Sequence, residues 1–293
     1  QVTEFSFEVI VVDDHSTDFS WSVIRGVKSK YPDIIRPFRN EKNLGLALTM
    51  AKLMELSRGK FIAYLDGDDV ALPGKIQSLA RHLKKNDHCT MVYHEMEVFD
   101  SETRSVNGYY VRDYYNRHLI PTRPSVEDLI MFGCFMHIGG VMVRAPADRK
   151  RTADLHNKII LDHPWLVLCL LYNPGRIDFI DSVLGQYRIH SSSFGALNRS
   201  NFDRKMRVLD EQLHVCSLAA LHGVSERVVI AGERHYHYAA ALFYLKIGSF
   251  DRFSSLIEKT TDGIWFLDSK HRAIHTNRMA PDQIRKKFFA ESS

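Results

Sequence analysis

The sequence has 293 residues, of which 45% are hydrophobic and 25% are charged, and its formal net charge is +4. These values are typical of a globular chain that forms one large domain, alone or with a smaller addition. So small a positive charge argues against a nucleic-acid-binding surface, and we expect no nucleic acid partner.

Two further features limit the class of protein. The longest apolar run, Trp165–Tyr172, is much shorter than the roughly 20 residues that a membrane-spanning helix needs. The four cysteines form no CxxC pair, so neither a zinc knuckle nor a dense disulfide framework is indicated. We therefore expect a cytoplasmic protein whose cysteines are reduced.

The first third of the chain predicts strands that alternate with helices. Apolar and β-branched runs that end in turn residues indicate strands, and apolar residues at helical spacing indicate helices. Strands are predicted at 7–12, 34–38, 60–65 and 91–99, and helices after Phe19, at 46–56 and after Pro73. This alternation is typical of an α/β fold with a mainly parallel sheet and flanking crossover helices.

The middle of the chain is less regular. Residues 107–123 are rich in tyrosine and arginine and are predicted to form a loop. A capping box, Ser125 with Asp128, predicts a short helix at 125–132. Further strands are predicted at 138–143, 176–180 and 184–189, and an apolar helix is predicted after Asp162.

From Asn201 onward the strand pattern ends and apolar residues recur at helical spacing. We therefore divide the chain into residues 1–200 and a C-terminal helical region, residues 201–293. Near the end, Arg285–Lys287 stand beside Phe288-Phe289. This pattern fits a solvated helix end or a peripheral contact with a membrane surface.

Three aspartates, Asp66, Asp68 and Asp69, are crowded into the turn after the predicted strand 60–65. Open α/β sheets bind ligands at the carboxyl ends of their strands, and Gly67 allows the backbone to approach a ligand closely. The alternating pair Asp66 and Asp68 suits a hard divalent cation. A solvated turn is the alternative, but the apolar strand before the turn favours a site.

Other phosphate or cation motifs fit this turn less well. An EF-hand is excluded because Val70 and Ala71 stand where the loop needs a further oxygen ligand and a glycine. A phosphate loop and a dinucleotide-binding glycine pattern are absent. A haloacid dehalogenase-like phosphatase with Asp66 as its nucleophile stays open, although such enzymes usually place this strand near the start of the fold.

Five segments together resemble the family 2 glycosyltransferases, in the family's order and at plausible spacings. They are VIVVDDHSTD at 9–18, Asn43-Leu44-Gly45, YLDGDD at 64–69, Leu161-Asp162-His163 before an apolar helix, and LGQYRIHSSS at 184–193. The resemblance implies a Rossmann-like glycosyltransferase A-type fold, a nucleoside-diphosphate sugar donor of the UDP or dTDP type, and a bound Mn²⁺ or Mg²⁺. Residues 1–200 would then be the nucleotide-sugar-binding catalytic domain.

The resemblance also assigns residues to the donor. Asp14, or Asp13 beside it, would contact the base or the ribose. Asp66 would approach the ribose or the metal ion, and Arg188 would steady the phosphate charge.

The same resemblance assigns a metal site and a catalytic base. Asp68 would ligate the metal ion that bridges the diphosphate, with Asp66 and His190 as further metal contacts. Asp162 matches the catalytic base that takes the proton of the acceptor hydroxyl. Direct displacement with one base inverts the anomeric configuration, so we expect an inverting, metal-dependent transferase with a glycan or a lipid-linked acceptor.

The chain departs from the family pattern in two places. The family usually begins with a strand of the type VSVIIPxYN and a helix, and this sequence starts after both. Without that strand its neighbours would have unpaired edges. We therefore expect weak donor binding unless an upstream polypeptide portion completes the fold. Met50-Ala51 also stands where many relatives carry an Arg-Asn pair, which removes one expected donor contact.

The predicted function is thus a transferase of polysaccharide biosynthesis, cytoplasmic or peripheral to the inner face of the membrane. Tyr110, Tyr114 and Tyr115 are candidates to line an acceptor groove. Two alternatives stay open: the phosphatase or phosphotransferase that uses Asp66, and a non-catalytic binding module that keeps the fold.

Overall fold

The computed structural model describes residues 1–115, 117–190, 202–260 and 268–289. The chain forms two compact units, residues 1–129 with 134–193, and residues 130–133 with 194–293. The predicted boundary near residue 200 falls between residues 191 and 201, outside the described part of the chain.

The first unit carries the strands of the described chain. They are β1 (Val9–Asp13), β2 (Ile35–Arg39), β3 (Phe61–Ala63), β4 (Val70–Ala71), β5 (Cys89–Asp100), β6 (Val106–Tyr109), β7 (Val141–Arg144) and β8 (Arg176–Ile189).

The helices flank these strands and continue into the second unit. They are α1 (Ser20–Lys30), α2 (Leu46–Leu56), α3 (Lys75–Lys85), α4 (Val126–Phe132), α5 (Asp162–Tyr172), α6 (Phe202–Leu221), α7 (Glu226–Lys246), α8 (Phe250–Ile257), α9 (Ser269–Thr276) and α10 (Pro281–Phe289). Short 3-10 helices cover Arg117–Leu119, Ile138–Gly140, Arg149–Thr152 and Glu258–Thr260.

The strands form two sheets. β1 and β2 pair in parallel as a separate two-stranded sheet, and the second sheet has the order β3-β7-β5-β8-β4, with β6 added to β5. β5 and β8 are parallel, whereas β7 runs antiparallel to both β3 and β5. β4 and β6 also pair in the antiparallel sense. The mixed α/β architecture is confirmed, and within the described sheets parallel pairing is confined to β1–β2 and β5–β8.

β1 and β3 are among the strands that keep one edge without a strand partner in the described chain. β1 pairs with β2 alone, and β3 pairs with β7 alone. None of the residues of α1 is buried, although apolar side chains line it, and Val23 is 62% exposed. That an upstream polypeptide portion adds a first strand to the fold stays a prediction.

The core of the larger sheet lies under α3. Leu79 and Leu83 are one helical turn apart, so they share a face, and both are fully buried against Cys89, Val92 and Met142. The apolar spacing of the sequence predicted this face. Burial of such side chains stabilises each by about 1.5–3 kcal/mol.

Several strands differ from their predicted bounds. β3 ends at Ala63 instead of residue 65, so the residues before the aspartates leave the sheet. Residues 176–189 form one strand instead of two, because irregularities in the register with β5 absorb the polar break at Asp181-Ser182. The segment predicted as a strand at 138–143 starts as a 3-10 helix, and the predicted loop at 107–123 includes most of β6.

The second unit is helical. Within it, Gly232 of α7 allows close approach to residue 130, because a Cβ at Gly232 would lie 2.7 Å from the Ile130 carbonyl oxygen. The Tyr236 hydroxyl donates to the same oxygen at 3.1 Å. Among the described helices of both units, none is long and apolar enough to cross a membrane.

Replacement of Gly175 by alanine tests the packing at the start of β8. The added Cβ would lie 2.2 Å from Thr90 Oγ1 and 2.9 Å from the His88 carbonyl oxygen, so we expect a loss of about 1–3 kcal/mol in the free energy of unfolding. Gly26→Ala is the matched control, because no atom lies within 4 Å of its added Cβ and alanine favours the helix by about 0.5–1 kcal/mol. Urea unfolding would measure both, and equal midpoints for the two variants would contradict the packing described.

Candidate active site

The pairing of β4 with β8 brings four of the predicted site residues together, Asp66, Asp68, Arg188 and His190. β4 pairs with Gly185 and Gln186 of β8, so the aspartate turn that precedes β4 lies at the end of β8. There, His190 Nε2 lies 3.5 Å from Asp68 Oδ2. The Arg188 Nε donates to the Asp68 carbonyl oxygen at 2.7 Å. Residues 191–193 of the same motif lie outside the described chain.

Arg188 therefore supports the aspartate turn directly. Its backbone N–H donates to Asp69 Oδ1 at 3.0 Å, and its guanidinium lies over the Phe99 ring at 4.7 Å. These contacts were not predicted from the sequence. The predicted contact of Arg188 with donor phosphate stays a prediction.

Asp66 lies in a poorly solvated position. Burial raises its pKa to about 6, against the opposing hydrogen bond from the Tyr64 hydroxyl. The negative charges of Asp162 and Asp68 raise the pKa further. The carboxylates of Asp162 and Asp68 are thus both close enough to act on Asp66. The predicted base, Asp162, and the predicted metal ligands, Asp66 and Asp68, therefore lie in one region.

Asp162 is the first residue of α5. A carboxylate is stabilised at a helix N-terminus by the helix dipole, and here Oδ1 also accepts the N–H of His163 at 2.9 Å. His163 is buried, with Nε2 3.0 Å from the Leu129 carbonyl oxygen, and burial lowers its pKa. The predicted apolar helix is confirmed, and it fixes Asp162 at a rigid point of the fold.

Asp69 and Lys75 are buried groups whose charges act on each other, and the sequence did not predict this. The Asp69 side chain is 1% exposed, and burial raises its pKa to about 7. Lys75 is 3% exposed, its Nζ donates to the Gly139 carbonyl oxygen, and burial lowers its pKa to about 8 while Asp69 opposes that shift. Lys75 therefore supplies a fixed positive charge to the inner side of the aspartate turn.

His137 lies on the other side of Asp69. Its Nδ1 is 3.7 Å from Asp69 Oδ2 and accepts the N–H of Gly139 at 3.1 Å. Burial lowers its pKa to about 3, so the ring is neutral. Ligand atoms of Asp66, Asp69 and His137 all lie within 4.8 Å of one another. The only signal of His137 in the sequence is its place before Gly139-Gly140.

Asp13 and Asp14 end β1 and make contacts of their own. Asp14 Oδ1 accepts the Asn40 side-chain N–H and the Leu44 N–H, and Oδ2 accepts the Gly45 N–H, all at 2.8 Å. Desolvation opposes these bonds, which together lower the pKa of Asp14. Asp14 thus joins two of the five sequence segments. Its predicted contact with the donor stays a prediction.

Asp13 is held on the same strand end. It is buried, its Oδ1 accepts the Ser16 N–H at 3.2 Å, and Arg39 Nε lies 3.0 Å from Oδ2, as an ion pair outside hydrogen-bond geometry. A role of Asp13 toward the donor likewise stays a prediction.

A second group of metal-type side chains lies elsewhere in the first unit. Ligand atoms of His82, Cys89 and Asp178 lie within 4.8 Å of one another. However, Arg176 pairs with both oxygens of Asp178 at 2.8 and 3.2 Å, and His82 lies 2.8 Å from one of them. Burial also raises the pKa of Cys89 to about 12. Since a guanidinium already neutralises the carboxylate, we assign this group a structural role.

Comparison with known proteins identifies the family. Residues 1–141 match the model of the family described as glycosyl transferase family 2. The N-terminal half of the chain thus matches this family. The chain is 31% identical over 240 residues to the uncharacterized protein Rv1520 of Mycobacterium tuberculosis, a match that covers 80% of this chain and 65% of the relative. An uncharacterized glycosyltransferase of Haemophilus influenzae is 27% identical over 162 residues, which cover 55% of this chain and 48% of the relative.

Solved structures show the fold. The S. aureus TarS 1–349 structure matches with a TM-score of 0.58 at 13% identity, over 97% of this chain and 82% of that one. Mannosyltransferase PcManGT from Pyrobaculum calidifontis, solved with GDP-Man and Mn²⁺, matches with a TM-score of 0.53 at 13% identity, over 98% and 79%. The glycosyltransferase A-type fold predicted from the sequence is confirmed.

Replacement of Asp66 by asparagine should change how stability depends on pH. The folded-state pKa of about 6 lies above the unfolded value of 3.8, so the stabilisation from this carboxyl is complete below about pH 4 and is lost as pH rises through 6. At pH 8 in EDTA, Asp66→Asn should therefore be more stable than the unaltered protein by about 1–3 kcal/mol, and the gain should shrink toward pH 4.

Urea unfolding at several pH values measures this difference. Asp87→Asn is the control, because the Asp87 side chain is 92% exposed and its loss should leave the pH profile unchanged. If Asp66→Asn is less stable than the unaltered protein at pH 8, the poorly solvated carboxylate described above is contradicted.

Proposed function

We propose that this chain transfers a sugar from a nucleoside-diphosphate donor to an acceptor hydroxyl, by direct displacement with inversion. One observation carries the proposal: Asp66, Asp68, Arg188 and His190 converge at one end of the larger sheet, and the charge of Asp162 acts on Asp66 there. Departure of the diphosphate and removal of the acceptor proton need separate acidic groups. Asp66 and Asp68 suit the first task, and Asp162 suits the second. The match of residues 1–141 to glycosyl transferase family 2 supports the same reaction.

Asp162 is the proposed catalytic base. An inverting displacement requires one carboxylate within about 2.6–3.2 Å of the attacking hydroxyl. Asp162 is the first residue of a buried, apolar helix, and its Oδ1 accepts the His163 N–H, so the backbone position of the carboxylate is fixed by the helix. Asp66 and Asp68 are then left to the donor side of the reaction.

A divalent cation, Mn²⁺ or Mg²⁺, fits the donor side. Asp68 with His190, supported by Asp66, offers the carboxylate and imidazole groups that such ions accept, and Asp69 has a buried oxygen without a hydrogen bond. When bound, the ion would neutralise the charge that develops on the departing diphosphate. Arg188 would hold the aspartate turn in place for it, and the positive charge of Lys75 acts on Asp69.

The donor and the acceptor are proposed by class. A nucleoside-diphosphate sugar of the UDP or dTDP type is the proposed donor. Because the Pyrobaculum neighbour was solved with GDP-Man, a GDP sugar is the alternative donor to test beside it. The proposed acceptor is a glycan or a lipid-linked saccharide, and the proposed location is the cytoplasm or the inner face of the membrane. The family match favours transfer over the phosphatase alternative, and turnover separates transfer from a non-catalytic module.

Replacement of Asp162 by asparagine should abolish transfer without loss of donor binding. An amide cannot accept the hydroxyl proton, so we expect turnover to fall by about 10²–10⁴-fold. Asp87→Asn, on an exposed residue remote from the described site contacts, is the control and should keep its turnover. Initial rates with a panel of nucleotide sugars, together with calorimetric donor titrations, make the measurement. A fully active Asp162→Asn variant would remove Asp162 from the mechanism.

Replacement of Asp68 or His190 should weaken metal binding. Each substitution, Asp68→Asn and His190→Asn, removes one proposed ligand, so Mn²⁺ affinity should fall by about tenfold or more. The measurement is Mn²⁺ titration followed by electron paramagnetic resonance, without nucleotide. His118→Asn changes an exposed histidine and serves as the control. Unchanged affinity in both variants would exclude this pair as the metal site.

A further inference from the structure

Glu95 is a carboxylate in an unexpected place. It lies in the middle of β5, is fully buried, and has the buried residues Tyr93 and Met96 beside it on the same strand. A buried carboxylate is costly unless hydrogen bonds satisfy it. The bonds that Glu95 makes should therefore show what it does.

Both carboxylate oxygens of Glu95 accept backbone N–H groups of a neighbouring segment. Oε1 accepts the N–H of Val111 at 2.9 Å and that of Met96 at 2.9 Å, and Oε2 accepts the N–H of Arg112 at 3.0 Å. The Arg112 guanidinium also lies 3.8 Å from Oε2. A single side chain of the sheet thus binds two consecutive amides of the segment that follows β6.

That segment is a compact turn with a fixed position. The Tyr109 N–H donates to Asp113 Oδ2 at 2.7 Å, and the Asp113 N–H donates back to the Tyr109 carbonyl oxygen at 3.1 Å. The Tyr110 N–H donates to the Met96 carbonyl oxygen at 2.9 Å. Since the turn is closed on itself, the bonds to Glu95 and Met96 set where it lies as a whole.

The turn carries Tyr110 into the candidate active site. The Tyr110 ring meets the His137 ring edge to face at 5.1 Å and the Tyr187 ring at 6.2 Å. His137 is the residue that lies against Asp69. Burial raises the pKa of Tyr110, and the negative charge of Asp162 adds to that shift.

We propose that Glu95 is a positioning residue that fixes the Tyr110–Arg112 turn, so that the Tyr110 ring forms one wall of the acceptor site beside Asp162. The ligand class is a pyranose ring of the acceptor, which packs its apolar face on an aromatic side chain. The role of the wall rests on the proposed function, whereas the anchoring by Glu95 does not.

Hydrogen exchange tests the anchor without any need for turnover. In Glu95→Gln one end of the side chain becomes an NH₂ donor, so one of the amides of Val111 and Arg112 loses its acceptor. We expect the amides of this turn to exchange about tenfold faster. Glu97→Gln is the matched control on the same strand, because Glu97 accepts from the Gln186 side chain at 2.7 Å and a glutamine can keep that bond. Equal exchange in the two variants would overturn the anchor.

Kinetics test the wall. Glu95→Gln and Tyr110→Leu should each raise the acceptor KM by about tenfold and change the donor KM much less, because the proposed donor contacts are on other elements. Tyr110→Leu leaves Glu95 in place, so it decides the matter if Glu95→Gln unfolds. An unchanged acceptor KM in Tyr110→Leu, or an equal rise in the donor KM, would overturn the wall. No transfer by the unaltered protein would overturn the proposed function itself, while the exchange result would still decide the anchor.

Discussion

The hydrogen bonds between Arg188 and the aspartate turn are the interaction on which the candidate site depends. Carboxylates at Asp66, Asp68 and Asp69 repel one another, and a turn of this composition would open without partners. The backbone and guanidinium of Arg188 bind Asp69 and the Asp68 carbonyl, and the β4–β8 pairing places them there. The sheet therefore holds the repelling charges in one orientation.

Charge balance inside the first unit follows the same logic. The pKa of Asp66 is raised to about 6 and that of Asp69 to about 7, so both carboxylates lack adequate solvation. Lys75 compensates from the inner side, and a divalent cation would compensate from the outer side. The charged forms of these two carboxylates are therefore poorly stabilised by the protein alone. A cation that binds beside them would stabilise the charged forms, so its binding would also stabilise the fold. Glu95 is the contrasting case, because its two oxygens accept three backbone N–H groups.

The sequence predicted the elements with strong local signals. Leu46–Leu56 was predicted to the residue, and the aspartate turn, the helix after Asp162 and the meeting of Asp68 with His190 followed from motifs. Lys75, His137 and Glu95 were missed, because their roles depend on partners far away in sequence and single residues carry no periodicity. The irregular β5–β8 register also joined two predicted strands into one, since a local polar break can be absorbed by a long ladder.

The separation between Asp69 and Arg188 has a consequence for biosynthesis. These residues are 119 positions apart, so the acidic turn leaves the ribosome long before its support exists. Contacts between such distant segments form late in folding. Until β8 is made, the nascent chain carries clustered negative charge beside an incomplete sheet, and a cation or a chaperone could shield it during that interval. Truncation before β8 should yield a chain that is prone to misassembly.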